Sequence, residues 1–155
     1  MPHVPGLRSP YAKVGRILYF GRMLDKIRLL AAGQLPEIYA ENMGDSIPLM
    51  FDTRCCTFLR VPYAQIKAWT LGQASDEAVL QLAEADGGRR SDEECEIWNG
   101  FLMKRGWHDH PVNVANLHRQ IVESGLAHKG IQTWFDYIEY DEGRDPLVER
   151  TWEKI

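Results

Sequence analysis

Apolar positions along this chain recur with the 3.6-residue period of a helix, and proline and glycine punctuate one periodic segment from the next. Ser9-Pro10 reads as an N-cap hydroxyl followed by proline at the first helical position, opening a helix expected to reach about Ala32, with Gly33 as terminator. Leu35-Pro36 and residues 37–42 add a helical turn, followed by an irregular stretch from Gly44 to Pro48. Asp52 then reads as the N-cap of a short helix from Thr53 to Leu59. Val61-Pro62 breaks that helix and starts another, Tyr63 to about Leu71. Ser75-Asp76-Glu77 opens the next, which reaches about Ala85 and is closed by Gly87-Gly88. Ser91 and Glu94 have the spacing of a capping box, and that helix ends at Lys104-Arg105-Gly106, cations and then glycine. Pro111 starts a helix to Ser124, and a last one is expected from about Ile131 to Glu142. A tail from Leu147 to Ile155 follows, with Trp152 and Ile155 placed to pack down.

No strand alternation, internal repeat or low-complexity linker interrupts this pattern. The expected architecture is therefore all-α: one domain over residues 1–155, a helical bundle of six to seven short-to-medium helices. The 155 residues are ample for one hydrophobic core, and 45% apolar with 26% charged residues is a globular balance.

A net charge of −4 and the absence of a lysine-rich run argue against a nucleic-acid binder. No run approaches the roughly 20 apolar residues of a membrane span, and Met1 to Arg8 lacks a signal-peptide core. Three cysteines, two of them adjacent, make no disulfide framework, so a reducing cytoplasm is expected.

Three features carry candidate chemistry. On the first helix, Asp25 and Arg28 fall in the arc of Val14, Ile17, Leu18, Gly21 and Leu24, with Arg22 at its edge. They read either as a structural ion pair or as a pocket wall in which Asp25 orients an arginine toward an anion. Gly21 inside the stripe allows a close approach by another backbone or a ligand.

In Phe51-Asp52-Thr53-Arg54-Cys55-Cys56 a helix N-terminus and Arg54 would both lower a thiol pKa, which makes Cys55 a candidate nucleophile or redox centre. The competing reading is a buried thiol acting as a small hydrophobe. On the helix from Asp92, the expected apolar arc is Ile97, Trp98, Phe101 and Leu102. Arg105 lies within it, Asn99 at its edge, and Gly100 permits close approach. Arg105 can bond the last carbonyls or stack on an aromatic ring.

The histidines are scattered and form no metal motif; His118 falls on the face of Val114, Leu117 and Ile121 and reads as a core histidine. Ile131, Trp134, Phe135 and Ile138 make the core stripe of the last helix, and Asp136 and Glu139 are expected to face solvent.

Four ordered stretches together resemble a bacterial family catalogued as domain of unknown function 5069. They are residues 21–28 (Gly-Arg-Met-Leu-Asp-Lys-Ile-Arg), 51–56 (Phe-Asp-Thr-Arg-Cys-Cys), 97–107 (Ile-Trp-Asn-Gly-Phe through Lys-Arg-Gly-Trp) and 134–144 (Trp-Phe-Asp through Asp-Glu-Gly-Arg). The resemblance runs from about Leu7 to Arg144 and implies a small cytoplasmic bacterial protein without implying an activity or cofactor. Its motifs include Asp25, Arg28, Cys55, Cys56, Asn99 and Arg105.

The leading expectation is a polar pocket between helices for an anionic small molecule, held by Arg22, Arg28, Arg54 and Arg105, with Asp25 orienting and Asn99 hydrogen-bonding. Any chemistry would fall to Cys55. The alternatives are an interaction module or homo-oligomer with an aromatic surface at Trp107, Tyr140 and Trp152, and a thiol redox protein using Cys55 and Cys56.

Overall fold

The first long helix, α1, spans Phe20–Ala31 and does not start at Pro10. The computed structural model describes residues 3–72 and 74–148, and in it the chain before α1 forms a hairpin. Strand β1 (Lys13–Val14) pairs antiparallel with β2 (Ile17–Leu18), and Gly15 takes φ 56° in the turn between them. Ser9 closes a turn, not a helix: its hydroxyl accepts the N–H of Tyr11 at 3.0 Å and its carbonyl that of Ala12 at 3.1 Å. Val14, Ile17 and Leu18 are buried, as their helical spacing predicts, but from an extended backbone. Two-residue strands are too short to show alternation, so the hairpin escapes periodicity.

Tyr19 joins the hairpin to α1 at φ 72°, a left-handed conformation uncommon for a bulky side chain. Its ring lies 5.2 Å from that of Phe51 and 6.3 Å from that of Phe135, and its hydroxyl bonds Asp52. Interactions at both ends of the side chain hold the strained backbone in place.

After α1 come α2 (Glu37–Ala40), α3 (Phe51–Leu59), α4 (Tyr63–Leu71), α5 (Asp76–Gly87), α6 (Asp92–Lys104), α7 (Pro111–Glu123) and α8 (Trp134–Asp141). The described residues are thus mostly helical, with eight α-helices and one small hairpin. The local stop and start signals hold. Pro62 and Pro111 stand at helix starts, Ser75 accepts the N–H of Ala78, and Ser91 with Glu94 makes both bonds of a capping box. His110 Nδ1 caps α7 by accepting from Val112.

Besides that of α1, two starts differ from expectation. Asp52 lies inside the first turn of α3 and is buried, its carboxylate being used by distant partners. α8 begins at Trp134, capped by Thr133, because a 3-10 turn at Ala127–Lys129 and left-handed Gly130 precede it.

α1 is the central element, with nine of its twelve residues buried. Met23, Leu24 and Ile27 pack in one cluster with Leu18, Leu59, Ile66, Val79 and Leu102. A smaller cluster joins α7 to α8 through Leu117, Ile121 and Tyr137. The buried face of α6 is Cys95, Trp98 and Leu102, while Ile97 is 65% exposed and Phe101 39%, which corrects the expected apolar arc. His118 is exposed and is no core histidine. Among the described residues no helix is long and apolar enough to cross a membrane. Trp152 and Ile155 lie outside the described residues.

Candidate functional site

A helix buried on nearly every side must bury its polar side chains as well, and each then needs a partner. α1 carries Arg22, Asp25 and Lys26 into the interior, and each finds one on a different neighbouring segment. Arg22 meets Glu142 end on, Nη1 to Oε1 at 2.8 Å and Nη2 to Oε2 at 2.5 Å, and also donates to the Arg8 carbonyl. Asp25 accepts from Arg8 through Nε at 2.8 Å, Nη2 at 2.9 Å and the backbone N–H at 3.0 Å. Arg28 stands 3.7 Å from Asp25 and, with Arg8, reaches Asp76 at 2.7 Å.

Gly21 admits this crossing. A Cβ there would stand 2.8 Å from Arg8 Cζ, and Arg8 also donates to the Gly21 carbonyl. The close approach foreseen at Gly21 is therefore made by an arginine side chain of the same chain.

Lys26 was not marked by the sequence pattern, yet it lies at the centre of the most enclosed polar group. Its Nζ bonds Asp52 Oδ1 at 2.7 Å and Tyr19 Oη at 2.8 Å; Tyr19 also donates to Oδ1, and the Gly44 N–H donates to Oδ2. Burial lowers the lysine pKa and Asp52 opposes the shift.

α8 holds a second buried polar group. Glu142 accepts from Arg22, from Tyr39 at 2.8 Å and from Arg144. Burial alone would raise its pKa, but these donors outweigh it and hold the carboxylate below its usual range. Glu139 is fully buried and bonded by Arg144 at 2.8 Å, and burial pushes its pKa up. Asp136 accepts from Tyr11 at 2.5 Å. Both residues were expected in solvent. Glu139 turns inward and Asp136 lies half-buried because α8 is packed on more than one side, between the main core at Phe135 and the α7 cluster at Tyr137.

Asn99 serves the hairpin: its Oδ1 accepts from Leu18 N at 3.0 Å and its Nδ2 donates to the Arg16 carbonyl at 2.9 Å. Cys55 is fully buried, and burial, with Cys56 and Asp52 adding to it, pushes its thiol pKa well up. Desolvation thus reverses the expected lowering by the helix N-terminus. The Cys56 thiol is likewise pushed up to about 12 by burial.

Arg54 and Arg105 differ from the other arginines. Both approach one ring: the guanidinium carbons lie 5.9 Å and 5.1 Å from the centre of Phe101. Arg105 is 4% exposed, and its ion-pair partner is Asp109 at 3.6 Å, beyond hydrogen-bonding reach. Buried Nη2 of Arg105 and buried Nε of Arg54 have no hydrogen-bond acceptor. Burial and the neighbouring charge of Arg54 lower the Arg105 pKa, with Asp109 opposing them.

Arg105 lines an open groove of about 1190 Å³ along α6, together with Ile97, Phe101, Lys104 and Trp107. The α6 C-terminus that presents Arg105 is fixed by Gly106 at φ 94°, where a Cβ would stand 2.6 Å from Leu117. The Trp134 N–H also bonds the Arg105 carbonyl at 2.9 Å.

The sequence-marked residues therefore do not converge on one pocket. Arg22, Asp25 and Arg28 enter ion pairs across α1, Cys55 is enclosed in the core, Asn99 holds the hairpin and lines the groove with Arg105, and Arg54 meets Arg105 at the Phe101 ring. A search of curated proteins gives no match. The match that exists is to a family model described as Domain of unknown function (DUF5069), over residues 4–144, which takes in the α1 ion pairs, the buried carboxylates of α8 and the Arg54–Arg105 pair; the chain belongs to that family.

Proposed function

We propose that this protein binds a small anion between Arg54 and Arg105, at the α3 side of the α6 groove. The observation that carries this reading is the pair of buried guanidinium N–H groups, Arg54 Nε and Arg105 Nη2, that have no acceptor. A buried donor left unmade costs on the order of 1–3 kcal/mol, more when charged. Two like charges at one ring add to that cost, and Asp109 answers only one of them. A phosphate or carboxylate held against the two guanidiniums would balance their charge and offer acceptors that the chain does not. Ile97, Phe101 and Trp107 give the groove an apolar and aromatic wall, which favours an anion with a flat or apolar body over a bare ion.

The reading is one of binding. Cys55 is closed off in the core, where burial pushes its thiol pKa up, so its surroundings disfavour a thiolate. Arg22, Asp25, Arg28 and Asn99 build the scaffold that sets the groove, since each is bonded within the chain.

The test is a thermal-shift panel of inorganic phosphate, pyrophosphate, citrate and benzoate at constant ionic strength. At least one anion should raise Tm in a saturable way, and Arg54→Gln or Arg105→Gln should abolish the rise while Arg119→Gln leaves it intact. A rise equal to that from chloride at matched ionic strength, or one unchanged in both variants, overturns the proposal.

A further inference from the structure

α6 turns one strip outward that the described residues of the chain leave uncovered. Its residues are Glu93, Ile97, Gly100 and Lys104, at spacings of four, three and four, opposite the buried Cys95, Trp98 and Leu102. Glu93, Ile97 and Lys104 are exposed, and Ile97 shows an unusually large apolar surface to solvent.

Gly100 has no explanation inside the chain. It sits in a helix, where glycine is a poor choice, and a Cβ at this position would meet nothing within 4 Å. By contrast, Gly21 and Gly87 each make room for a neighbour. A glycine in an exposed helix face beside a bare isoleucine lets another helix come close.

The charges on the strip say which helix. Its N-terminal end is acidic, with Asp92, Glu93 and Glu96, and its C-terminal end carries Lys104. Laid antiparallel on a copy of itself, the strip is self-complementary. Glu93 meets Lys104 of the second copy, and Ile97 fills the space above Gly100 of the second copy; two-fold symmetry repeats both pairings.

We infer that the protein forms a two-fold symmetric homodimer through antiparallel α6 helices crossing at Ile97 and Gly100. Exposed Phe101 and Trp107 extend the apolar area beyond the crossing. The strip shares the α6 groove with the anion site, since Glu93, Ile97, Gly100 and Lys104 line it together with Arg105. The two proposals nevertheless rest on different residues: the dimer on Ile97, Gly100 and the strip charges, the anion site on Arg54 and Arg105.

Sedimentation equilibrium of the full chain tests it, with circular dichroism to confirm that each variant is folded. The wild type should show twice the chain mass. Gly100→Leu, whose Cβ meets nothing within 4 Å in the chain, should be folded and monomeric. Glu93→Lys or Lys104→Glu alone should weaken dimerisation by about tenfold or more, since each sets like charges opposite one another at two symmetric positions. The double variant Glu93→Lys/Lys104→Glu should restore it. A monomeric wild type, a dimer indifferent to Gly100→Leu, or a double variant as weak as the singles overturns the inference. Arg105→Gln should leave the dimer intact whatever it does to anion binding, so the two proposals succeed or fail separately.

Discussion

Lys26 illustrates how a single residue is tied into this interior. It reaches Asp52 and Tyr19 at once, and all three are buried, so its loss would leave Asp52 charged in a dry environment, with the Tyr19 hydroxyl and the Gly44 N–H still donating to it. Lys26→Met should cost about 3–5 kcal/mol in urea denaturation, because breaking a buried ion pair strands the remaining charge. Adding Asp52→Leu to it should recover part of that loss; if the double variant is no more stable than the single, the stranded charge is not the cause. None of this was legible in the sequence. Asp25 and Arg28 stood out because they sit three apart on one helix, whereas Lys26 and Asp52 are partners 26 positions apart. A helical wheel shows which residues share a face. It does not show that nearly every face of α1 is covered, and that coverage is what turns Arg22, Asp25 and Lys26 into paired interior groups.

Elements were legible where their signals are local. Ser75, Ser91 with Glu94, Pro62 and Pro111 mark helix starts through bonds or sterics within four residues, and each stands where its chemistry predicts. The hairpin was hidden because its strands are two residues long, and its apolar positions mimic a helix stripe by number. Glu139 was misplaced because α8 was read as a helix with one buried face, when it packs against both α6 and α7. Glycines in the helices behave oppositely for reasons the structure supplies. At Gly87 a Cβ would lie 1.9 Å from the Leu59 carbonyl oxygen, so Gly87→Ala should destabilise by at least about 2 kcal/mol. Gly100→Ala should instead stabilise the isolated helix and the dilute protein by about 0.5–1 kcal/mol, since nothing obstructs it. Thermal denaturation of both variants at low concentration decides this, and equal signs would contradict the packing described.

At the scale of the whole molecule, the ion pairs bring together segments remote in sequence: Arg8 and Asp25, Lys26 and Asp52, Arg28 and Asp76, Arg22 and Glu142. Stability should accordingly depend on acid in a signed way. Glu142 and Asp76 are raised by burial but lowered more by their arginines, so both fall below their ordinary values. Their contribution is fully present above the ordinary carboxylate pKa of about 4 and is lost as pH falls through the lowered folded values. Glu139, pushed up by burial, acts oppositely, costing stability as pH rises from the ordinary value through the raised one. Urea midpoints between pH 7 and pH 3 should therefore fall steeply at the acid end. The fall should be shallower in Arg22→Met, which starts lower because Glu142 has lost its main partner. An unchanged slope in Arg22→Met would remove Glu142 from the account.

Among the buried polar atoms of the described residues left without a hydrogen-bond partner, which include Asp76 Oδ1, Trp98 Nε1 and Glu139 Oε2, the two cationic ones belong to Arg54 and Arg105. The functional reading rests on them, and their own N–H signals offer the most direct test. In ¹⁵N-labelled protein the guanidinium resonances of Arg54 and Arg105 should move on titration with pyrophosphate, or with whichever anion leads the thermal-shift panel, along one saturable curve. Those of Arg22, already bonded to Glu142, should stay in place. If the Arg54 and Arg105 resonances stay fixed, or if exposed arginines shift as much, no anion site lies at Phe101 and the two guanidiniums serve packing alone.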